Sequence, residues 1–135
     1  MSAFTERLRD LAVGFEIDKV DEEDAVAVVI IGKCEACNKK CPLKVAIYPN
    51  DDERLWEFAC LSSVTAEAAE DLPQFILPTL LEDNFGATYG YWAIVNVSKD
   101  MVALAVMHNA PDNILTPTIF RKICEVMAER INMLE

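Results

Sequence analysis

The chain has 135 residues, of which 53 % are hydrophobic and 26 % charged, a composition typical of one packed globular domain. Its net charge of −11, without a basic stripe, argues against nucleic acid and anionic membranes as partners. No apolar run approaches the roughly 18 residues of a membrane-spanning helix, and the first ten residues are charged where a signal peptide needs an apolar core. We therefore expect a single cytoplasmic domain over residues 1–135.

The chain begins with a predicted helix. Apolar residues at helical spacing indicate a helix over residues 2–13, with Ser2 as its cap and Gly14 at its end. The acidic segment 18–24 is predicted to be a solvated connection, because its carboxylates lack the glycine and the spacing of a calcium loop.

Three strands are predicted next. Residues 25–31 are β-branched and apolar without alternation, which indicates a strand buried on both faces. Residues 43–48 alternate between apolar and polar side chains and form the second strand. The turn residues "PNDD" then lead into a third strand over residues 54–64.

The second half contains a helical region, a hairpin and a last helix. Thr65 is a candidate cap for a helical region up to residue 85, where two prolines predict two short helices or one kinked helix. Strands 91–97 and 101–108 form a hairpin across "SKD". Thr116 then caps the last helix, with Pro117 at its first position and a long apolar stripe that indicates core packing.

The predicted order is helix, three strands, helix, two strands, helix. Strand runs separated by helices favour an α+β fold with an antiparallel sheet that the helices pack against. The two strands of the hairpin are apolar on both faces, so each of them needs a cover on both sides. We therefore predict a homodimer, with Tyr91 and Trp92 on the dimer or partner surface.

The second half of the chain resembles the type III secretion chaperones and the related YbjN-type proteins. The similar stretch is "PTLLEDNFGATYGYWAIVNVSKDMVALAVMHNAPDNILTPTIFRKICEVMAERINML", in which a helix ending in Leu-Leu-x-x-Asn-Phe is followed by a glycine-containing break, a hairpin and a C-terminal helix. The matching positions are Leu80, Leu81, Asn84, Phe85, Gly86 and Gly90. The resemblance implies a homodimer that binds an extended segment of a partner polypeptide by strand addition and hydrophobic pockets, without catalysis.

The loop "GKCEACNKKCP" is the strongest local signal for a metal. It holds Cys34, Cys37 and Cys41 and is long for a hairpin connection, so a bound metal would order it. If "PNDD" is a four-residue loop, the register of the hairpin after it places Cys41 opposite Cys60. Four thiolates suit tetrahedral zinc, which we rank ahead of an iron–sulfur cluster because the spacing matches neither standard ferredoxin pattern.

Two alternatives to a metal remain open at this stage. Cys34 and Cys37 form the Cys-x-x-Cys spacing of a redox pair, although the helix N-terminus that usually accompanies such a pair is missing from the predicted order. The loop cysteines are otherwise reduced thiols, and Cys60 packs as a small apolar residue. A small metal-binding or redox protein is therefore our alternative to the partner-binding protein.

No catalytic signature accompanies these features. His108 ends the last predicted strand, and the spacing brings no nucleophile or carboxylate to it, so we expect a structural histidine. The sequence has no phosphate-binding glycine loop, no Gly-x-Ser-x-Gly elbow and no metalloprotease helix motif. We predict that the protein is not an enzyme.

Overall fold

The computed structural model describes residues 3–21, 26–31, 43–50 and 54–134. Three α-helices, two short 3-10 helices and six strands follow one another along these residues. In chain order they are α1 (Ala3–Leu11), β1 (Glu16–Asp21), β2 (Val26–Ile31), β3 (Leu43–Asn50), β4 (Leu55–Ala66), a 3-10 helix (Ala69–Asp71), α2 (Leu77–Gly86), β5 (Tyr91–Ser98), β6 (Met101–Pro111), a 3-10 helix (Asp112–Ile114) and α3 (Pro117–Leu134).

The six strands form one sheet in the order β1-β2-β3-β4-β6-β5, and each neighbouring pair is antiparallel. This architecture confirms the predicted α+β class with an antiparallel sheet. It adds one strand, because β1 occupies part of the segment predicted to be a solvated connection. The sequence of β1 does not alternate regularly between apolar and polar residues because the strand has a bulge between Ile17 and Lys19. The bulge puts Ile17 and Val20 on the same face, although residues three positions apart in a regular strand lie on opposite faces.

The pairing of β3 with β4 differs from the predicted register. Cys60 lies opposite Val45 and Phe58 opposite Ile47, so β4 is displaced by four residues from the arrangement that placed Cys60 across from Cys41. A displacement by an even number of residues keeps every side chain on its own face of the sheet. The hydrophobic pattern therefore fits both registers equally well and could not choose between them.

The predicted helical region 66–85 contains two short helices, the first of the two predicted arrangements, but its predicted cap is wrong. Thr65 lies inside β4, which continues to Ala66, and it caps no helix. The first α-helical residue of this region is Leu77, and Pro78 sits in the first turn, where a missing N–H costs nothing. The proline therefore marks the beginning of α2 and not a kink inside a longer helix.

One face of the sheet carries the core. Helices α1 and α3 cover it, and the apolar stripe of α3 is buried there, as the sequence predicted. The predicted cap is present too, because the N–H of Ile119 donates to Thr116 Oγ1 at 3.2 Å. The prediction that the strand over residues 25–31 is buried on both faces is wrong. In β2, Ala27 and Val29 are buried, whereas Val28 and Ile30 on the other face are partly exposed.

Candidate partner-binding surface

The sheet face opposite α1 and α3 is apolar although no helix of the described residues packs on it. One row of side chains crosses this open face through five strands, because Cα pairing links Val28, Ala46, Ala59, Met107 and Tyr91 in turn. An antiparallel sheet with one solvated face normally presents polar residues there. The open face is therefore the candidate binding surface of this fold.

The middle of the open face is a floor of alanines. Ala59, Ala103 and Ala105 are buried, yet they lie outside the core cluster beneath the helices. Larger residues around Ala46 and Ala59 leave a groove of about 570 Å³, in which Lys44 is the charged lining residue. The other lining residues are Val28, Ala46, Tyr48, Ala59, Leu61, Val95, Asn96, Val97 and Met107.

A second apolar surface surrounds α2. Phe85 is 97 % exposed, Leu81 67 % and Phe75, just before the helix, 82 %. Leu80 is the buried residue of this helix, so most of its apolar surface points away from the chain's own core. Exposed aromatic and aliphatic side chains that cluster in this way mark interaction sites on soluble proteins.

A cleft of about 250 Å³ separates α2 from β5. Its walls are almost wholly apolar and come from both elements, with Leu104 of β6 at its base. The lining residues are Leu77, Leu80, Leu81, Trp92, Ala93, Ile94 and Leu104. The cleft lies on the opposite side of β5 from the groove of the open face, because Trp92 and Ile94 alternate with Val95 and Val97.

Polar contacts fix α2 against the sheet. Asp83 Oδ2 accepts hydrogen bonds from Trp92 Nε1, at 2.8 Å, and from Arg130 Nε, at 3.0 Å, and it also forms an ion pair with Arg130 Nη2. The hydrogen bonds from Arg130 and then Trp92 hold the pKa of Asp83 below its usual value. Arg130 Nη1 also donates to the carbonyl oxygens of Tyr89 and Gly90, at 3.1 and 2.6 Å.

Asn84 makes the next contact along α2. Its Oδ1 accepts a hydrogen bond from the N–H of Trp92, and its Nδ2 donates to the carbonyl oxygen of the same residue at 3.1 Å. A side-chain amide thus binds both main-chain groups of one residue on the outer edge of β5. This is the pairing that a neighbouring strand would make there.

His108 belongs to the same junction and has a structural role, as predicted. Its Nδ1 accepts a hydrogen bond from the N–H of Gly90 at 3.0 Å, and its ring lies between those of Phe58 and Tyr89, with centroid distances of 6.2 and 5.8 Å. Burial lowers the pKa of His108, which favours the neutral ring that this hydrogen bond needs.

The two residues predicted for the dimer or partner surface lie on opposite faces of β5. Tyr91 is 40 % exposed and belongs to the row that crosses the open face. Trp92 is 8 % exposed, because its indole packs beneath α2 and donates to Asp83. Tyr91 is therefore exposed on the open face and Trp92 is buried beneath α2, and a dimer or partner contact at either residue stays a prediction.

Of the residues predicted to bind a metal, the structure describes only Cys60. Cys34, Cys37 and Cys41 lie outside the described residues. Cys60 is fully buried on the helix-covered face, and burial, followed by the proximity of Cys60, raises the pKa of Cys124. The observed register removes the argument that brought Cys60 to Cys41, so the four-cysteine site stays a prediction without that support.

The described residues contain neither a cluster of metal ligands nor a helix that could span a membrane. Within residues 3–21, 26–31, 43–50 and 54–134, no three side chains among His, Cys, Asp and Glu are grouped as metal ligands would be. No helix in the described part of the chain has the length and apolar character needed to cross a membrane.

Comparison with known proteins identifies the fold. No family model and no curated protein matches the sequence. Among solved structures, the chain is similar to one in the HopA1–SchA chaperone–effector complex, with a TM-score of 0.62 and 12 % identity over 96 % of this chain and 91 % of that one. This likeness confirms the predicted type III secretion chaperone-like fold.

Proposed function

We propose that this protein is a non-enzymatic, chaperone-like homodimer that binds a segment of a partner polypeptide. The observation that carries the proposal is the open sheet face, whose apolar row and alanine floor have no cover within the described chain. The similarity to a chain of a chaperone–effector complex supports the same class of function. The cytoplasm is the compartment that we propose for it.

The shape and charge of the groove favour a polypeptide over other ligands. It is open and shallow, whereas small-molecule sites are enclosed and bury most of their ligand. The net charge of −11 disfavours nucleic acid and suits a basic, partly unfolded chain. The open face would cover the apolar side chains that a partner exposes before it folds.

Charge placed in the groove should abolish this binding. Leu61 and Val97 are both exposed, so replacing both by aspartate should leave the fold intact while it introduces charges that apolar ligand side chains would desolvate. We expect the double variant to bind reduced, thiol-blocked lysozyme, a basic unfolded chain, at least about tenfold more weakly than the parent protein. Fluorescence anisotropy of the labelled chain measures the affinity.

The control for this experiment is Met133→Asp, which adds one aspartate at an exposed site on α3, outside the groove. It should bind the unfolded chain with nearly the parent affinity, and folded lysozyme should bind none of the three proteins. Equal affinities for the double variant and Met133→Asp would remove the groove from the proposed function.

The homodimer requires a surface of its own, and we assign it to the exposed side of α2. Phe75, Leu81 and Phe85 together offer the aromatic and aliphatic contacts that dominate protein interfaces. The same patch on two protomers would meet across a two-fold axis, as in most homodimers.

Phe85→Asp is expected to convert the dimer into a monomer. The side chain is 97 % exposed in the single chain, so the substitution should leave the chain folded. Sedimentation equilibrium at micromolar concentration should give twice the chain mass for the parent and the chain mass for the variant. A monomeric parent protein would contradict the homodimer.

Zinc binding through Cys34, Cys37 and Cys41 remains our alternative proposal. These residues lie outside the described part of the chain, so support for the site comes from the cysteine spacing alone. Elemental analysis of the purified protein decides it: one zinc per chain would support the metal site, and its retention in Cys60→Ser would restrict the ligands to the loop.

A further inference from the structure

His108 joins the start of β5 to the rest of the sheet. It lies on the helix-covered face, because its Cα partner in β4 is Phe58, a fully buried core residue. From there its Nδ1 accepts the hydrogen bond from the N–H of Gly90 at 3.0 Å. Gly90 is the last residue before β5, so this bond holds the point at which the chain coming from α2 enters the sheet.

This hydrogen bond exists in one protonation state of the ring. An imidazole nitrogen accepts a hydrogen bond only while it carries no proton, so the bond requires the neutral His108 ring with its proton on Nε2. A second proton on Nδ1 would bring two N–H groups face to face. Gly90 is buried, so its N–H would lose its partner without water to replace it.

Gly90 is also a point at which α2 is attached to the sheet. Its carbonyl oxygen accepts a hydrogen bond from Arg130 Nη1 at 2.6 Å, and Arg130 Nε donates to Asp83 of α2 at 3.0 Å. The same carboxylate oxygen of Asp83 accepts from the indole of Trp92 at 2.8 Å. A displacement of Gly90 away from His108 therefore moves an acceptor of Arg130, and the anchor of α2 moves with it.

The groups around the ring come from four elements. Phe58 of β4 and Tyr89 of the segment before β5 flank it, with centroid distances of 6.2 and 5.8 Å. Glu57 precedes Phe58 in β4, so its side chain points to the opposite, open face. Beyond Tyr89, α2 and α3 form a cleft whose charged lining residues are Glu82, Asp83, Lys122 and Arg130.

His108 is the group of this junction that titrates near neutral pH. It is the only histidine of the chain, and histidine is the side chain whose ordinary pKa lies between pH 5 and 8. Burial lowers the pKa of His108, so the junction is most stable above the ordinary value and loses stability as the pH falls below it. The hydrogen bonds from Arg130 and then Trp92 lower the pKa of Asp83, so this carboxylate keeps its charge over the same range.

We propose that His108 is an acid-sensitive switch: a proton on its Nδ1 breaks the hydrogen bond from Gly90 and loosens the attachment of α2 to the sheet. The consequence for assembly rests on the proposed function, which assigns the dimer surface to the exposed side of α2. Acid would then weaken the homodimer from behind that surface, without a change in any residue that forms it.

NMR of the parent protein at about pH 7.5 and about pH 5 tests the switch. The imidazole signals belong to His108 alone, and they should show the proton on Nε2 at the higher pH and a pKa below 6.5. Protection of the Gly90 amide against hydrogen exchange, corrected for the intrinsic effect of pH, should fall by at least about tenfold at the lower pH. The indole N–H of Trp92 should lose protection in parallel, because it reports the anchor at Asp83.

The matched variants are His108→Asn and His108→Leu. The asparagine Oδ1 occupies the same position along the side chain as the histidine Nδ1 and does not titrate, so protection at Gly90 should be retained at both pH values. His108→Leu removes the acceptor and should leave Gly90 unprotected at both. Should His108→Leu unfold, the parent and His108→Asn still provide the comparison, since only the parent takes up a proton here.

Sedimentation equilibrium at the same two pH values extends the test to the dimer. The dissociation constant of the parent should rise by at least about fivefold in acid, and that of His108→Asn should stay nearly constant. His108→Asn retains every carboxylate of the parent, so a rise common to both proteins would come from the carboxylates.

Three results would overturn the inference: a His108 pKa at or above 6.5, equal protection of Gly90 at both pH values, or equal losses in the parent and His108→Asn. Failure of the proposed function looks different. A parent protein that is monomeric at both pH values would contradict the homodimer, while the signals of Gly90 and Trp92 would still report the switch. A dimer that is insensitive to acid, with Gly90 protected throughout, would leave the homodimer and remove the switch.

Discussion

Replacing Phe120 by alanine is expected to lower the free energy of unfolding by about 3–5 kcal/mol, the cost of deleting a large aromatic side chain from a close-packed core. Phe120 is fully buried on α3, with its ring centroid 5.6 Å from that of Phe58 on β4 and 6.3 Å from that of Phe15. The deletion therefore leaves a cavity where α3 meets the sheet. Urea denaturation followed by circular dichroism measures the change.

Met133→Ala is the control, since it truncates a large apolar side chain that is 81 % exposed on the same helix and lies outside the surface assigned to the dimer. It should change the free energy of unfolding by no more than about 0.5 kcal/mol. Similar losses for the two variants would show that α3 does not pack on the sheet as described.

The second large effect is expected at the glycine that precedes β5. Gly90 has φ of +81°, and a Cβ built on it would lie 2.7 Å from Val106 Cγ1 and 3.3 Å from Met127 Cγ. Gly90→Ala therefore combines the cost of the left-handed conformation with overpacking against β6 and α3, about 2–4 kcal/mol in total. Thermal and urea unfolding should both report the loss.

Gly86→Ala provides the comparison within the same junction. Gly86 is the last residue of α2, and no atom lies within 4 Å of the position that its Cβ would take. The substitution should leave stability unchanged or raise it by up to about 1 kcal/mol, because alanine has less freedom to lose on folding. Tolerance of alanine at both glycines would contradict the close approach of Gly90 to Val106.

Stability and binding are coupled through this junction. Arg130 donates to the carbonyl oxygen of Gly90 and to Asp83, so a displacement at the start of β5 also moves the anchor of α2. We therefore expect Gly90→Ala to weaken the proposed dimer more than Gly86→Ala does, even where both proteins are folded. An interface held in one geometry before binding loses less conformational entropy on association.

The sequence by itself determined the α+β class, the hairpin of β5 and β6, the cap of α3 and the buried stripe along that helix. Each rests on contacts between residues close together in the chain, so periodicity and capping residues reveal it. The continuous apolar character of β5 and β6 also indicated the uncovered sheet face, since a strand apolar on both sides needs two covers.

Other features depended on tertiary structure. The register of β3 with β4 was open because both candidates keep the same side chains on the same face of the sheet. The burial of Trp92 and the pairing of Asn84 with the sheet edge depend on how α2 folds back over β5, through Asp83 and Arg130. These contacts could not be predicted from local sequence patterns, because Asp83 and Arg130 are 47 positions apart in the chain and meet only in the folded structure.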